Sequence, residues 1–259
     1  MSIRSLAVSF AIALGAVLSA RAASAAPGGA PPAPAKTVVL VHGAFADGSS
    51  WSAVIPLLQA RGIKVIAVQN PLTSLADDVA FTERAIAEAN GPVILVGHSW
   101  GGSVITEAGT SDQVKALVYI AAFAPDVGQS SIETLKPYPP SPGLAHPIVD
   151  AAGYLKLSPE AVAQYFAQDV TAAQARLIAT TQGAVRGKNF EEKLTKAAWQ
   201  GKPSFYVVAD KDLMLHPAFQ RAAAAHIKAK ITVLPTSHVP MVSRPKDVAD
   251  VIIAAATAP

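Results

Sequence analysis

The run from Val93 to Gly102 constrains the fold of this chain more than any other part of the sequence. Four apolar residues lead directly into a Gly-x-Ser-x-Gly turn centred on Ser99, after which a helix can begin. Glycine on both sides of Ser99 lets the two flanks pass close together, so the serine hydroxyl is held clear of the backbone at the apex. The pattern predicts a nucleophile elbow between a buried strand and a helix. An incidental serine in a glycine-rich turn is the alternative.

Length and composition favour one large α/β domain over two small ones. The chain has 259 residues, of which 51% are hydrophobic, enough to bury a sheet on both faces. The net charge is +3 and no basic stripe interleaves with aromatic residues, so nothing indicates a nucleic-acid partner. Cysteine is absent, which excludes disulfides, thiolate metal sites and a cysteine nucleophile.

The first 25 residues have the pattern of a secretory signal peptide. Arg4 gives a short positive region, Leu6 to Leu18 is apolar, and Ala23-Ser24-Ala25 forms a small-residue cleavage site. The apolar stretch is short for a bilayer span, so an uncleaved anchor is the less favoured alternative and no stable membrane insertion of the mature chain is expected. Residues 26–35 are rich in proline, glycine and alanine and predict a flexible or extended leader. We expect an exported protein, periplasmic or secreted.

From residue 36 onwards, strand and helix patterns alternate along the chain. Short apolar runs predict strands at 37–41, 64–68, 93–96, 116–120, 205–209 and 231–234. Helical spacing predicts helices at 51–58, 75–89, 104–108 and 217–227, and a last helix from Pro245. The alternation indicates an α/β fold with a mostly parallel central sheet and helices on both faces.

Residues 126–201 interrupt this alternation. Prolines crowd together between positions 137 and 147, and three helical patterns follow, at Pro159–Ala167, Ala172–Thr181 and Phe190–Trp199. We interpret the stretch as a small helical cap inserted into a single domain, 36–259, because it carries no strand–helix alternation of its own.

Three side chains at the ends of predicted strands could act on one another. A serine hydroxyl needs a base to take its proton, and the base needs a carboxylate to hold it in one tautomer. Of the histidines, only His238 follows the last strand, and it is the candidate base. Asp212 is the favoured acid because it lies further along its loop than Asp210, which could instead cap the turn; Asp126, after an earlier strand, is a third alternative.

Acyl transfer also needs donors for the negative oxygen of the tetrahedral intermediate. The backbone N–H of Trp100, directly after Ser99, and that of Ala44, in the loop after the first strand, are the candidates. A tight turn at His42-Gly43 with no catalytic role is the alternative. The sequence contains no P-loop, no dinucleotide fingerprint and no zinc-binding helix, so no cofactor is expected.

Together these residues resemble the α/β-hydrolase family, over essentially all of the chain from Lys36 to Ala255. The elbow, the His42-Gly43 loop and the late His238 carry the resemblance, which implies the α/β-hydrolase fold. An aspartate nucleophile, as in epoxide hydrolases and haloalkane dehalogenases, is not expected because Ser99 stands at that position.

Within the family, the chain is similar to the branch that holds plant methylesterases and hydroxynitrile lyases. The stretch 206–212 followed by 217–220 matches the acid loop of that branch, whose catalytic aspartate falls on Asp212. The lyases carry threonine and lysine where this chain has Gly43 and Val239, so the resemblance points to ester hydrolysis. The chain departs from the plant members in having Trp100 where leucine is common.

These observations lead us to expect a serine carboxylester hydrolase that acts on small to medium uncharged esters. A ligand receptor with slow hydrolase activity, and lyase or perhydrolase chemistry at the same site, are the alternatives. An apolar substrate pocket is expected from aromatic residues of the first loop and the cap: Phe45, Tyr138, Tyr154, Tyr165 and Phe166. The sequence does not fix the oligomeric state.

Overall fold

The structure is a computed structural model that describes residues 37–145 and 147–258. The predicted signal peptide and leader lie outside the described residues. The strands are β1 (Thr37–Val41), β2 (Lys64–Val68), β3 (Val93–His98), β4 (Val114–Ile120), β5 (Ile148–Val149), β6 (Tyr154–Lys156), β7 (Val185–Arg186), β8 (Ser204–Ala209) and β9 (Lys230–Leu234).

A parallel sheet forms the centre of the domain, as the sequence predicted. Its six strands have the order β2-β1-β3-β4-β8-β9, and every neighbouring pair is parallel. Strands β1, β3 and β8 are buried at every residue, since helices cover both faces. Their sequences are therefore continuous apolar runs rather than alternating ones.

The direction of each crossover decides which face a helix covers. The helices are α1 (Ile55–Gln59), α2 (Leu75–Glu88), α3 (Gly101–Ala108), α4 (Ser131–Leu135), α5 (Pro159–Ala161), α6 (Ala172–Thr181), α7 (Pro217–His226), α8 (Pro240–Ser243) and α9 (Pro245–Thr257). From β1 the chain moves to β2 at one edge of the sheet, and from β2 it returns across the sheet in the opposite direction towards β9. Because parallel crossovers are right-handed, α1 covers one face, and α2, α3 and α7 cover the other. Helix α9 packs against α1.

The helix predicted at 51–58 is shorter than expected. A 3-10 turn, Gly48–Trp51, precedes α1, and the Asp47 side chain caps that turn. The other helices of the alternation match the prediction closely, and α6 has the predicted bounds. No helix in the described ranges is long and apolar enough to cross a membrane.

The inserted cap is less helical than the sequence suggested. Strands β5, β6 and β7 form a small antiparallel sheet that was not predicted. The helix expected at Phe190–Trp199 is wrong, because that stretch holds only the end of one 3-10 turn, Gly187–Glu191, and part of another, Ala198–Gln200. The pattern at Pro159–Ala167 becomes α5 followed by a π-helical turn, Val162–Phe166.

The carboxyl ends of the central strands meet at one edge of the sheet, beneath the cap. Val41 pairs with Gly97 and Ala209 pairs with Leu234, so the loops after β1 and β3 are neighbours, as are those after β8 and β9. Because β4 and β8 lie between β3 and β9, the last loop must reach back across the sheet to approach Ser99.

Candidate active site

Ser99 lies at a strained turn between β3 and α3. Its φ is +51°, a left-handed conformation that a residue with a side chain seldom adopts. The turn closes so tightly that a Cβ at Gly97 would lie 2.5 Å from the carbonyl oxygen of Gly101. Ser99 donates its backbone N–H to Ile120 (3.1 Å) and accepts from Phe123 (3.1 Å), which leaves its side chain facing a cavity above the sheet. The local geometry is that of the predicted elbow.

His238 and Asp212 form a buried pair beside Ser99. The His238 Nδ1 atom lies 2.6 Å from Asp212 Oδ2, and both side chains are almost completely inaccessible to solvent. A carboxylate only accepts hydrogen bonds, so Nδ1 carries the proton and Nε2 keeps its lone pair. His238 lines the same cavity as Ser99. The structure therefore places Ser99 and His238 on one cavity and joins Asp212 to His238, on loops that follow β3, β8 and β9.

The carboxylate of Asp212 is held by donors on both oxygens. Oδ1 accepts from the backbone N–H groups of Met214 (2.7 Å) and Leu215 (2.9 Å), while Oδ2 accepts from Gln220 (2.7 Å) and His238. Gln220 is itself fixed, because its Nε2 also donates to Leu215 and its Oε1 accepts from Ala209. The side chain of Asp212 cannot rotate away without leaving several of these groups unpaired.

The two other candidate acids lie elsewhere. Asp210 forms an ion pair with Arg221 at 2.5 Å, with both side chains about half exposed. Asp126 lies 3.0 Å from Nε2 of His226 at another half-exposed site. Only Asp212, among these three, contacts His238.

The two histidines near the elbow are held in fixed, non-reactive roles. His98 donates from Nε2 to the carbonyl oxygen of His238 (2.8 Å), so it holds the loop that carries the base. Burial and the neighbouring His238 keep the pKa of His98 well below its usual value, so its ring stays neutral. His42 accepts from the N–H of Asn70 at 2.9 Å, and burial lowers its pKa as well.

Two backbone amides are free to receive an oxyanion. Within residues 37–145 and 147–258, neither the N–H of Ala44 nor that of Trp100 donates to another protein atom. The loops that carry these two amides are in close contact, because a Cβ added at Gly43 would lie 2.8 Å from Cβ of Ser99. Two unpaired donors, a serine hydroxyl and an imidazole held by a carboxylate form the arrangement that acyl transfer requires.

A cavity of about 150 Å³ opens onto Ser99 and His238. Among the described residues, no Asp, Glu, Lys or Arg side chain faces it, and its walls combine residues of the first loop, the β4 loop, the acid loop and the cap. The lining consists of Ala44, Phe45, Phe123, Ile132, Leu135, Gly143, Leu144, Pro147, Leu155, Leu157, Phe190, Met214 and Leu215. Apolar groups therefore surround any molecule that reaches the serine.

Of the five residues predicted to line the pocket, only Phe45 does so. Tyr138 lies outside, with its ring 5.6 Å from that of Phe219, and neither Tyr154 nor Tyr165 reaches the cavity. Phe166 packs edge-on behind His238, with ring centroids 5.2 Å apart, and helps to position it. The prediction is wrong for these four, because the lining that the cap supplies consists mainly of aliphatic side chains, with Phe190 as its one aromatic ring among the described residues.

The cap is also hydrogen-bonded to the loops that carry Asp212 and His238, and no pattern in the sequence indicated these contacts. Gln168 donates from Nε2 to the carbonyl oxygen of Lys211 (2.7 Å), and Asp169 accepts from the backbone N–H of Ser237 (2.9 Å). The cap thus holds the residue before Asp212 and the residue before His238. Among the described residues, no group of three or more His, Asp or Glu side chains is placed to hold a metal ion.

Comparison with known proteins places this geometry in context. The family model described as "Alpha/beta hydrolase family" matches residues 38–251. A pyrethroid hydrolase of Sphingobium wenxiniae is 27% identical over 86% of this chain and 88% of its own length. Methylesterase 8 of Arabidopsis thaliana is 24% identical over 84% of this chain and 88% of its own. The solved structure of the pyrethroid hydrolase PytH with BIF superimposes with a TM-score of 0.75, at 26% identity over 86% of this chain and 98% of that one.

Proposed function

This chain belongs to the alpha/beta hydrolase family, and on that premise we propose that it is a serine carboxylester hydrolase. The observation that carries the proposal is the buried bond of 2.6 Å between His238 Nδ1 and Asp212 Oδ2. This bond leaves the basic nitrogen of His238 free on the wall of the cavity that Ser99 also faces. The relatives named above as esterases and hydrolases support the same reading.

In the first half of the reaction, Ser99 Oγ attacks the ester carbonyl carbon while His238 Nε2 takes its proton. The imidazolium that forms is stabilised by Asp212, which stays ionised. The amides of Ala44 and Trp100 donate to the carbonyl oxygen as it becomes negative; losing one such donor typically costs about 3 kcal/mol in the barrier. His238 then protonates the alcohol oxygen, the C–O bond breaks, and an acyl-enzyme remains.

In the second half, water replaces the alcohol. His238 takes a proton from water, the hydroxide attacks the acyl carbon, and Ser99 leaves with the proton returned by His238. The products are a carboxylic acid and an alcohol, and the protein regains its starting state without any cofactor.

The cavity favours an uncharged, apolar substrate of limited size. A buried ion without a partner is costly, and the part of the lining that the structure describes supplies no Asp, Glu, Lys or Arg partner. A cavity of about 150 Å³ holds a group of roughly the size of benzene. We therefore propose small to medium esters with one apolar arm in the cavity.

Hydroxynitrile-lyase chemistry is less well supported by the geometry. The lyase branch carries threonine at the position of Gly43, but here a Cβ at that position would lie within 3 Å of Ser99. The position that holds lysine in the lyases is Val239, which is buried. The site therefore lacks both the hydroxyl and the ammonium group.

The experiment is hydrolysis of a panel of p-nitrophenyl esters from acetate to octanoate by the wild type and by Ser99→Ala. Rapid multiple turnover that the substitution abolishes supports the proposal, and labelling of Ser99 by a fluorophosphonate identifies the nucleophile. Full turnover by Ser99→Ala would refute serine catalysis. A single slow turnover with retained product would instead indicate a receptor, and release of aldehyde from a cyanohydrin would indicate a lyase.

We also propose that the protein is exported after removal of its first 25 residues. The positive, apolar and small-residue segments of the sequence support this proposal. N-terminal sequencing of the protein from culture medium or periplasm tests it: a mature chain that begins near Ala26 is expected, and an intact N-terminus in the cytoplasm would refute it.

A further inference from the structure

Asp78, in the first turns of α2, is a buried carboxylate with no cationic partner. It is completely inaccessible to solvent, and no salt bridge to it is found in the part of the chain that the structure describes. Burying a carboxylate without a cationic partner is costly, so the hydrogen bonds that Asp78 accepts must offset that cost. The mechanism above does not use it.

Each oxygen of Asp78 accepts one hydrogen bond. Oδ2 accepts from the indole Nε1 of Trp100 at 2.7 Å, and Oδ1 accepts from the backbone N–H of Leu72 at 2.8 Å. The Trp100 ring is fully buried and is held on another side by Phe190, with ring centroids 5.3 Å apart. The side chain of Trp100 is thereby fixed, and its backbone amide follows Ser99 directly.

The hydrogen bond from the backbone N–H of Leu72 connects Asp78 to the second proposed oxyanion donor, the amide of Ala44. Leu72 is buried with φ at +60°, a strained backbone conformation that needs support. Close by in the same loop, Asn70 donates its N–H to the ring of His42 (2.9 Å) and its side-chain amide to the carbonyl oxygen of His42 (3.2 Å). His42 begins the loop that carries the amide of Ala44.

We propose that Asp78 is a positioning residue that fixes both oxyanion donors, the amide of Trp100 directly and that of Ala44 through the loop at Leu72. The inference rests on the proposed function, because it assigns the two amides to the oxyanion. Asp78 touches no substrate. It acts by holding the donors where the developing charge will lie, which avoids reorganisation during the reaction.

The charges around Asp78 make the clamp sensitive to pH. Burial raises its pKa to about 6, the hydrogen bonds from Trp100 and Leu72 oppose this, and the carboxylates of Asp77 and Glu192 add to it. The pKa lies above its ordinary value, so the folded protein binds this proton more tightly than the unfolded chain does. The contribution of Asp78 to stability therefore falls as pH rises from about 4 to about 6. Protonation of Asp78 on acidification therefore weakens the hydrogen bonds of the clamp.

The kinetic test compares Asp78→Asn with Asp77→Asn, a matched control on the neighbouring exposed carboxylate. Asparagine can accept only one of the two hydrogen bonds, so we expect kcat to fall on the order of 10- to 100-fold with KM nearly unchanged, less than the full loss of a donor. Asp77→Asn should stay within about twofold of wild type, since the Asp77 side chain is exposed and accepts from the hydroxyl of Thr73, while its backbone N–H, which donates to Ser74, is unchanged.

A spectroscopic test reports on the clamp without any substrate. The ring of Trp199 lies edge-on to that of His226 (5.1 Å between ring centroids), so the measurement uses a Trp199→Phe background to remove this second indole signal. We expect the fluorescence of Trp100 to titrate with a midpoint near pH 6, and the transition to vanish in both Asp78→Asn and Trp100→Phe. Because no substrate is turned over, this measurement follows Asp78 independently of the catalytic base.

A double-mutant cycle keeps the test decisive if one variant folds poorly. Trp100→Phe removes the indole donor and keeps an aromatic ring, so it should lower kcat as Asp78→Asn does. The double variant should lose less than the product of the two single losses. Strict additivity, or an effect of Asp78→Asn on kcat no larger than that of Asp77→Asn, would overturn the inference. Both results would leave serine catalysis intact if Ser99→Ala were still inactive.

Discussion

Replacing Asp212 with asparagine keeps the shape of the side chain but puts a donor where Oδ2 accepts two hydrogen bonds. The new side chain is isosteric, and its oxygen can still accept from the amides of Met214 and Leu215, which hold Oδ1 in the native protein. Its amide nitrogen must then point at His238 Nδ1 and Gln220 Nε2, which are both donors. His238 can resolve the conflict only by moving its proton to Nε2, the nitrogen that has to receive the proton of Ser99.

The expected loss follows from that change of tautomer. A base locked in the wrong tautomer, with the geometry otherwise intact, lowers kcat by about 10⁴-fold, or about 5 kcal/mol at ~1.4 kcal/mol per tenfold change. Gln220 cannot turn its amide over, because its oxygen accepts from Ala209 and its nitrogen donates to Leu215. One buried donor therefore loses its acceptor, which should lower the free energy of unfolding by about 1–3 kcal/mol.

The assay is steady-state hydrolysis of a p-nitrophenyl ester, together with urea denaturation of the same preparations. Asp210→Asn is the matched control, because Asp210 lies two positions earlier and is paired at the surface with Arg221. It should keep wild-type kcat within about twofold. Greater damage from Asp210→Asn, or more than a tenth of wild-type activity in folded Asp212→Asn, would refute the assignment.

Three further predictions test the elbow, the support of the base and the cavity. Gly97→Ala places a Cβ 2.5 Å from the carbonyl oxygen of Gly101, so thermal denaturation should show a clear fall in Tm or no folded protein. Phe166→Ala removes a buried ring that packs on His238, so the free energy of unfolding in urea should fall by about 3–5 kcal/mol, and kcat should fall more than KM changes. Leu155→Ala enlarges the cavity and should move the preferred acyl chain towards greater length in the ester panel.

The central sheet could be predicted from the sequence because its signals are local. Parallel strands buried on both faces need continuous apolar runs, and β1, β2 and the helix α6 have the predicted bounds. The elbow could be predicted for the same reason, since a strand, a turn with flanking glycines and a helix follow one another within one short run. The order of serine, aspartate and histidine along the chain then followed from the resemblance and from the ends of the strands.

The cap could not be predicted in the same way. Its sheet rests on pairs of very short strands, β5 with β6 and β6 with β7, whose stability comes from packing rather than from a pattern. The stretch Phe190–Trp199 has helical spacing, yet Phe190 packs against Trp100 and lines the cavity. Tertiary contacts decided its conformation.

The sequence by itself determined the alternation of strands and helices, the strained turn at Ser99 and the presence of an acid and a base after the last two strands, because each depends on neighbours along the chain. Only the tertiary structure decided that Asp212 rather than Asp210 meets His238, that leucines rather than tyrosines form the cavity wall, and that Asp78 binds the indole of Trp100. Those contacts join residues far apart in sequence, and their energies depend on burial and on the direction of each side chain, which exist only once the chain has folded.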